Sequence, residues 1–327
     1  MKHEIVLEPS GIRFHARDDQ SIVAAASGQG IAIRHGCGNG SCGDCKGVVL
    51  EGEGEQLPFM PLLLTPEERA ARMAILCRLQ PRTPMRIQAR VQERETWQAT
   101  VLGVGSLAGN VRELRLQTSR PYRYQAGQYA RIAVPGQDGE WRSYSMARPP
   151  AEDGTLVFHI RAVPEGRFGT WLFHQARPGD VLTLGAAQGE FFLRRDTEKP
   201  ILCVAAGTGL APIEAILQET LDMGWRRPIH LFYGARRRKD FYHLSLLEEW
   251  TRQYGHLQVT PTLSDMEDHD WGGARRLLPT VAAHGPWKEH QAYLCGSPAM
   301  IEAAVDLLLS HGLPHEQIHF DAFSPNS

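Results

Sequence analysis

What the sequence lacks narrows the reading first. Nowhere in its 327 residues does an apolar run approach the roughly 20 residues of a membrane helix, so no spanning helix is expected. Neither charge is in excess. Lys and Arg number 35 against 37 Asp and Glu, a net of −2, and this balance points to neither nucleic acid nor an anionic membrane as partner. Cysteine is sparse, with 6 in the whole chain. A disulfide framework would need an oxidising compartment, and this usage fits a reducing cytoplasm instead. Repeats and low-complexity tracts are missing. The first residues, Met1 to Glu8, alternate like a strand without the apolar core of a signal peptide, so no leader is expected. The 14 histidines show no metal-ligand pairing and read as structural or surface residues. The length predicts two or three domains.

What is present begins with four of those cysteines. Cys37, Cys42 and Cys45 stand at C-x4-C-x2-C spacing, and Cys77 follows alone. This is the plant-type spacing in which four thiolates hold a 2Fe-2S cluster. The loop is rich in glycine, which lets the backbone come close to a bulky core and aim N–H groups at its sulfurs. A structural zinc site is the rival, but zinc sites usually show two short-spaced ligand pairs, and here the second pair is missing. Around the loop, the sequence predicts a hairpin (His3 to Leu7, Ile12 to Ala16), a short helix from Ser21 and a strand from Lys46 to Leu50. Thr65, Pro66 and Glu68 carry a capping-box signature for a second short helix. Mixed strands and short helices around such a loop resemble the α+β β-grasp fold of plant-type ferredoxins. The expected segment is 1–92.

From 93 to 195 the pattern changes to six short strands and one helix, which predicts a small antiparallel β-barrel. Arg142-Ser-Tyr144-Ser145 resembles the R-x-Y-S motif of the ferredoxin–NADP reductase superfamily. That resemblance implies Arg142 on the FAD pyrophosphate, Tyr144 packed on the isoalloxazine and Ser145 at the N5 edge. It also places His159 and Arg161 on the next flavin-edge strand. Guanidinium suits phosphate and an aromatic face suits a flat ring. Gly169 and Thr170, near the start of the helix, are candidates for the pyrophosphate through free N–H groups and the helix dipole. The last barrel strand is followed by Gly185-Ala-Ala-Gln-Gly189, which lacks the proline that relatives often carry.

From 196 to 327 apolar strands alternate with helices, which predicts an α/β, doubly wound parallel sheet. Gly207-Thr208-Gly209-Leu-Ala-Pro212 ends the first of these strands and opens a helix. It resembles the G-T-G-x-A-P motif of the same superfamily. Tyr293-Leu-Cys295-Gly296-Ser-Pro298 resembles its second motif, which implies Cys295 and Gly296 beside the nicotinamide. Cys203 lies mid-strand and reads as a buried small hydrophobe. The basic run at Arg236 to Lys239 follows the second strand, where the family meets the adenosine ribose; Arg236 is the candidate contact, and a solvated loop is the alternative. The tail Phe320-Asp-Ala-Phe323 resembles the family segment that lays an aromatic ring against the flavin, which makes Phe323 the candidate. Ser145, Cys295 and Phe323 are thus the expected catalytic set.

The order of the three segments resembles the NAD(P)H-dependent reductase components of bacterial multicomponent oxygenases. The resemblance implies electron flow from NADH or NADPH through FAD and a 2Fe-2S cluster to an oxygenase or ferredoxin acceptor that docks transiently. Two alternatives stay open. One is the same electron chain serving a deoxysugar dehydrase, and the other is a redox-sensing module.

Overall fold

The computed structural model describes residues 1–91, 95–137, 139–266 and 269–324. The expected boundary at 92/93 lies outside the described residues. The chain divides into two compact units, Met1–Glu95 with Ser324–Ser327, and Thr96–Phe323.

The first unit contains β1 (Lys2–Glu8), β2 (Ile12–Arg17), α1 (Ile22–Gly28), β3 (Lys46–Glu51), β4 (Gly54–Gln56), α2 (Pro66–Ala70), β5 (Met73–Ile75), β6 (Leu79–Pro81) and β7 (Met85–Gln88). Five strands form one mixed sheet in the order β2-β1-β7-β3-β5, with β1 and β7 parallel. Alternation sends Ile5, Leu7, Phe14 and Ile87 into the core; Ile22 and Ala26 of α1, which packs on β2, are buried there too. Each fully buried aliphatic side chain contributes roughly 1.5–3 kcal/mol, and this burial fixes the sheet register. Ser21 caps α1, and Thr65 and Glu68 close the expected capping box on α2. Strands β4, β5 and β6 are not among the elements the sequence pattern predicts. Three-residue strands are too short to show alternation.

The second unit opens with a barrel: β8 (Thr96–Ala108), β9 (Val111–Thr118), β10 (Tyr129–Ala133), β11 (Trp141–Ser145), β12 (Thr155–Arg161), α3 (Arg167–His174) and β13 (Val181–Gly185). Its six strands run β11-β10-β13-β8-β9-β12, antiparallel throughout. A bridge between Met146 and Phe158 joins the two edges. Leu114, Ile132, Leu156, Phe158, Phe168 and Leu184 fill the interior.

The same unit continues as β14 (Ile201–Ala206), α4 (Leu210–Asp222), β15 (Ile229–Ala235), α5 (Leu244–Gln253), β16 (Leu257–Leu263), β17 (Ala274–Arg275), α6 (Leu277–Ala283), β18 (Gln291–Gly296), α7 (Pro298–Ser310) and β19 (Ile318–Ala322). The sheet is parallel, in the order β17-β16-β15-β14-β18-β19. From β14 the chain first steps outward through β15 and β16. It then returns to place β18 on the other side of β14. The crevice at that switch is where doubly wound sheets bind ligands.

Candidate functional site

In the first unit, the four thiols of the spaced cysteines form one connected group. Cys42 and Cys77 beside Cys37, and Cys77 beside Cys45, pull the thiols at 37 and 45 below the usual thiol range. The same neighbouring thiols first, and then burial, push Cys42 and Cys77 up. Backbone N–H groups already point at sulfur: Ser41 donates to Cys37 Sγ at 3.2 Å, Cys37 to Cys42 Sγ at 3.3 Å and Cys77 to Cys45 Sγ at 3.4 Å. Two ties hold the loop in place. Leu76 N donates to the Cys45 carbonyl at 3.0 Å, and Arg34 lies 3.9 Å from the buried Asp44 carboxylate. Gly40 sits at φ +83°, and a Cβ there would stand 2.8 Å from both Phe59 Cβ and Arg78 Cγ. Four convergent sulfurs, aimed donors and a glycine at position 40 with no room for a side chain fit a 2Fe-2S cluster.

In the second unit, widely separated segments meet at the sheet's switch point. A single turn, Gly207–Gly209, leaves β14 and runs into α4. Gly209 lies so close to β18 that a Cβ would stand 2.2 Å from the Cys295 carbonyl oxygen. Gly207 has φ +55°, and a Cβ there would collide with the Arg161 guanidinium. The barrel and the sheet therefore touch at Arg161 and Gly207. Across β18, Cys295 pairs with Asp321 and Gly296 with Ala322 on β19. Phe323 N then donates to the Gly296 carbonyl at 2.7 Å, and its half-buried ring packs on the sheet core. Ser145 Oγ, at the end of β11, reaches Asp321 Oδ2 at 3.4 Å. Ser145, Arg161, Gly207, Gly209, Cys295, Gly296 and Phe323 are thus one constellation. Asp321, between Ser145 and Cys295, was not singled out from sequence; its signal was its place two residues before Phe323.

The remaining expected residues lie in distinct settings. Tyr144 packs against Phe168 with ring centroids 4.9 Å apart, and burial raises its phenol. Arg142 pairs with Glu140, which also holds Arg167 at 2.8 Å. Gly169 and Thr170 lie in the first turn and a half of α3, behind the N-cap Gly166, but the Thr170 N–H and hydroxyl both bond the Gly166 carbonyl, at 2.9 and 3.0 Å, so the free N–H expected at Thr170 is already used by the helix. Cys295 and Cys203 are fully buried, which pushes both thiols above their ordinary range. Arg236 follows β15, and its carbonyl accepts from Asp265 N at 2.9 Å. The neighbouring Arg237 guanidinium is engaged by Asp265 at 3.2 Å. His159 turns its ring toward Tyr242 and His243, at centroid distances of 5.2 and 5.0 Å, because strand alternation sets it on the face opposite the barrel core. Burial first, then the neighbouring His243 and Arg148, push that imidazole well below its ordinary range. In the loop after β13, Gln188 forms an isolated backbone bridge to Tyr129. A guanidinium, a phenol ring and a hydroxyl around one end of β11 fit FAD, and the bare glycine turn fits a dinucleotide phosphate.

Three families divide the chain. Residues 5–82 match the 2Fe-2S iron-sulfur cluster binding domain, 98–193 the oxidoreductase FAD-binding domain and 203–306 the oxidoreductase NAD-binding domain. Over 335 residues the chain is 32% identical to the phenol hydroxylase P5 protein of Acinetobacter pittii, spanning 99% of this chain and 95% of the relative. The chain belongs to the oxygenase reductase-component family. This reductase is also 28% identical to the CDP-6-deoxy-L-threo-D-glycero-4-hexulose-3-dehydrase reductase of Yersinia pestis, over 100% of both chains. Its fold matches a crystal structure of an Amycolatopsis cytochrome P450 reductase, with a TM-score of 0.76, 30% identity and coverage of 99% and 100%. The reductase is an NAD(P)H-dependent oxidoreductase with 2Fe-2S, FAD and NAD domains, and no helix among its described residues is long and apolar enough to cross a membrane.

Proposed function

We propose that the reductase draws electrons from NADH or NADPH and delivers them singly to an oxygenase, or to a ferredoxin serving one, by transient docking in the cytoplasm. In this reading the segments 1–92, 93–195 and 196–327 carry the cluster, the flavin and the nucleotide. Cys37, Cys42, Cys45 and Cys77 hold the iron. Arg142 and Gly169 meet the flavin pyrophosphate, Tyr144 covers the ring and Ser145 stands at its reactive edge. Arg161, Gly207, Thr208 and Gly209 receive the dinucleotide phosphates, while Cys295 and Gly296 line the nicotinamide position beneath Phe323. FAD supplies the conversion between a two-electron hydride donor and a one-electron cluster.

The observation that carries the reading is the meeting of Ser145, the glycine turn, Cys295 and the Phe323 tail at one switch point, in a chain that also holds the four-thiol loop. Asp321 adds a carboxylate within reach of the Ser145 hydroxyl, a place to hold a proton beside the flavin edge. The purified protein should contain about two irons and one flavin per chain and should reduce cytochrome c rapidly with NADH or NADPH. Zinc without labile sulfide, or the absence of turnover, would sink the proposal. A second reading is delivery to a deoxysugar dehydrase, favoured by the full-length likeness to the Yersinia reductase. Reconstitution with each class of acceptor separates the two.

A further inference from the structure

Strand β12 has two faces. Leu156, Phe158 and Ile160 enter the barrel, and Val157, His159 and Arg161 face the other way, where Val157 packs on Ala211 of α4. His159 is only 4% exposed, yet neither ring nitrogen has a hydrogen-bond partner. Buried polar atoms are paired in the large majority of cases, so an imidazole with two unpaired nitrogens points to a missing ligand. Directly across the ladder, Glu113 of β9 is the register partner of His159. Such cross-strand neighbours project side by side on one face. His243, the N-cap of α5, closes the third side with its backbone at φ +56°. One ligand atom from each of Glu113, His159 and His243 lies within 4.8 Å of the other two.

The fourth element is Glu214. It is fully buried in α4, and its Oε2 bonds His243 Nδ1 at 2.8 Å. That bond leaves His243 Nε2 for a ligand. Metal-binding histidines almost always have their second nitrogen held by a carboxylate or carbonyl in this way. Arg148 lies 3.4 Å from Glu214 Oε1 and balances its charge. Among the described residues, the Glu113 carboxylate has one long ion-pair contact, Arg115 at 3.7 Å.

We propose that Glu113, His159 and His243 form a site for one divalent transition-metal ion, with Glu214 as its positioning residue. Two imidazoles and a carboxylate are a zinc donor set, with the fourth tetrahedral position left to water. The site would join two barrel strands to the start of α5 in the nucleotide-binding half of the same unit. It is independent of the cysteine loop, and the sequence hides it because its ligands are far apart along the chain.

The test uses the iron- and flavin-loaded protein. It is incubated with zinc chloride, desalted and analysed for zinc and iron together by mass spectrometry. The iron reading shows whether zinc has displaced the cluster. About one zinc per chain should be retained at full iron content. His243→Asn and Glu113→Gln should each lose it; asparagine tolerates the positive φ at 243. Glu214→Gln should weaken retention on the order of 10–100-fold in competition with a chromophoric chelator. Zinc should raise the melting temperature of the wild type and of neither ligand variant. Flavin content reports folding, and if one ligand variant does not fold, the other decides. No zinc retained by iron-replete wild type, or equal retention in a folded ligand variant, overturns the proposal.

Discussion

The cluster loop and the flavin–nucleotide site are built in opposite ways. The loop draws three of its four sulfurs from nine consecutive residues, Cys37 to Cys45, and positions them with local N–H groups and glycines at positive φ. The second site, as proposed, draws Ser145, Arg161, Gly207, Cys295 and Phe323 from five separate segments that only the barrel and the parallel sheet together bring near one another. A local site is written in spacing, whereas a distributed one is written in topology. The first should fail by losing its metal while the rest of the molecule stands. The second should fail by losing geometry when any one segment shifts.

The largest effect tests the separation itself. Cys45→Ser or Cys77→Ser should abolish NADH-driven reduction of cytochrome c, because serine is a poor replacement for a thiolate ligand to iron. Ferricyanide, which takes electrons directly from flavin, should still be reduced at close to the wild-type rate. If both activities fell together in a folded, flavin-loaded variant, the linear order from flavin to cluster would be wrong.

A matched pair of glycine substitutions sharpens the contrast. At Gly209 an added Cβ meets the Cys295 carbonyl at 2.2 Å, a backbone atom that cannot move without displacing β18. Overpacking of this kind typically costs about 1–3 kcal/mol, so Gly209→Ala should lower kcat/KM for the coenzyme by roughly 10–100-fold with iron content intact. Gly40→Ala meets Phe59 at 2.8 Å and forces alanine to φ +83°, so it should lose iron and keep its flavin. Gly28→Ala, with nothing within 4 Å, should change neither quantity. Iron, flavin and steady-state assays on the three variants read the comparison directly. Iron loss in the Gly209 variant would mean the two sites are not separable.

Arg142→Ala should have a smaller effect. The guanidinium is the charge nearest the proposed pyrophosphate position on β11, and in this structure Glu140 is its partner. Removing it leaves both Glu140 and the phosphate less well matched, so the variant should purify with reduced flavin and recover activity when FAD is added in excess. Full occupancy without added FAD would remove Arg142 from the site.

The same contrast explains what the sequence disclosed. The cysteine loop was legible because ligand spacing is a local property, and the capping box at Thr65 and Glu68 was legible for the same reason. The barrel and the parallel sheet followed from strand rhythm, which survives without knowledge of pairing. His159 shows where that rhythm stops. Its place on β12 was readable, but the identity of the residues facing it depends on how α4 and α5 dock, and nothing in the local pattern names Glu214 or His243. Asp321 was likewise invisible as a partner of Ser145, because β11 and β19 belong to different sheets.

The finest test concerns the two ends of the coenzyme. Phe323 is anchored by its own N–H to the Gly296 carbonyl at 2.7 Å, so replacing its ring leaves the tail's course intact. If the ring covers the flavin face, nicotinamide must displace it, at a cost on the order of 1 kcal/mol. Phe323→Ser should then tighten nicotinamide binding about fivefold and strengthen the charge-transfer band between nicotinamide and flavin. At the other end Arg237 is already engaged by Asp265, and Arg236, first of the basic run and next to β15, is the candidate for a 2′-phosphate. Arg236→Ala should lower kcat/KM for NADPH far more than for NADH, since only NADPH loses a charge-assisted hydrogen bond. Both constants are measured for both coenzymes in each variant. An unchanged nicotinamide affinity in the serine variant returns Phe323 to the sheet core, where its ring already packs. Equal losses for the two coenzymes in the Arg236 variant make the basic run a solvated loop.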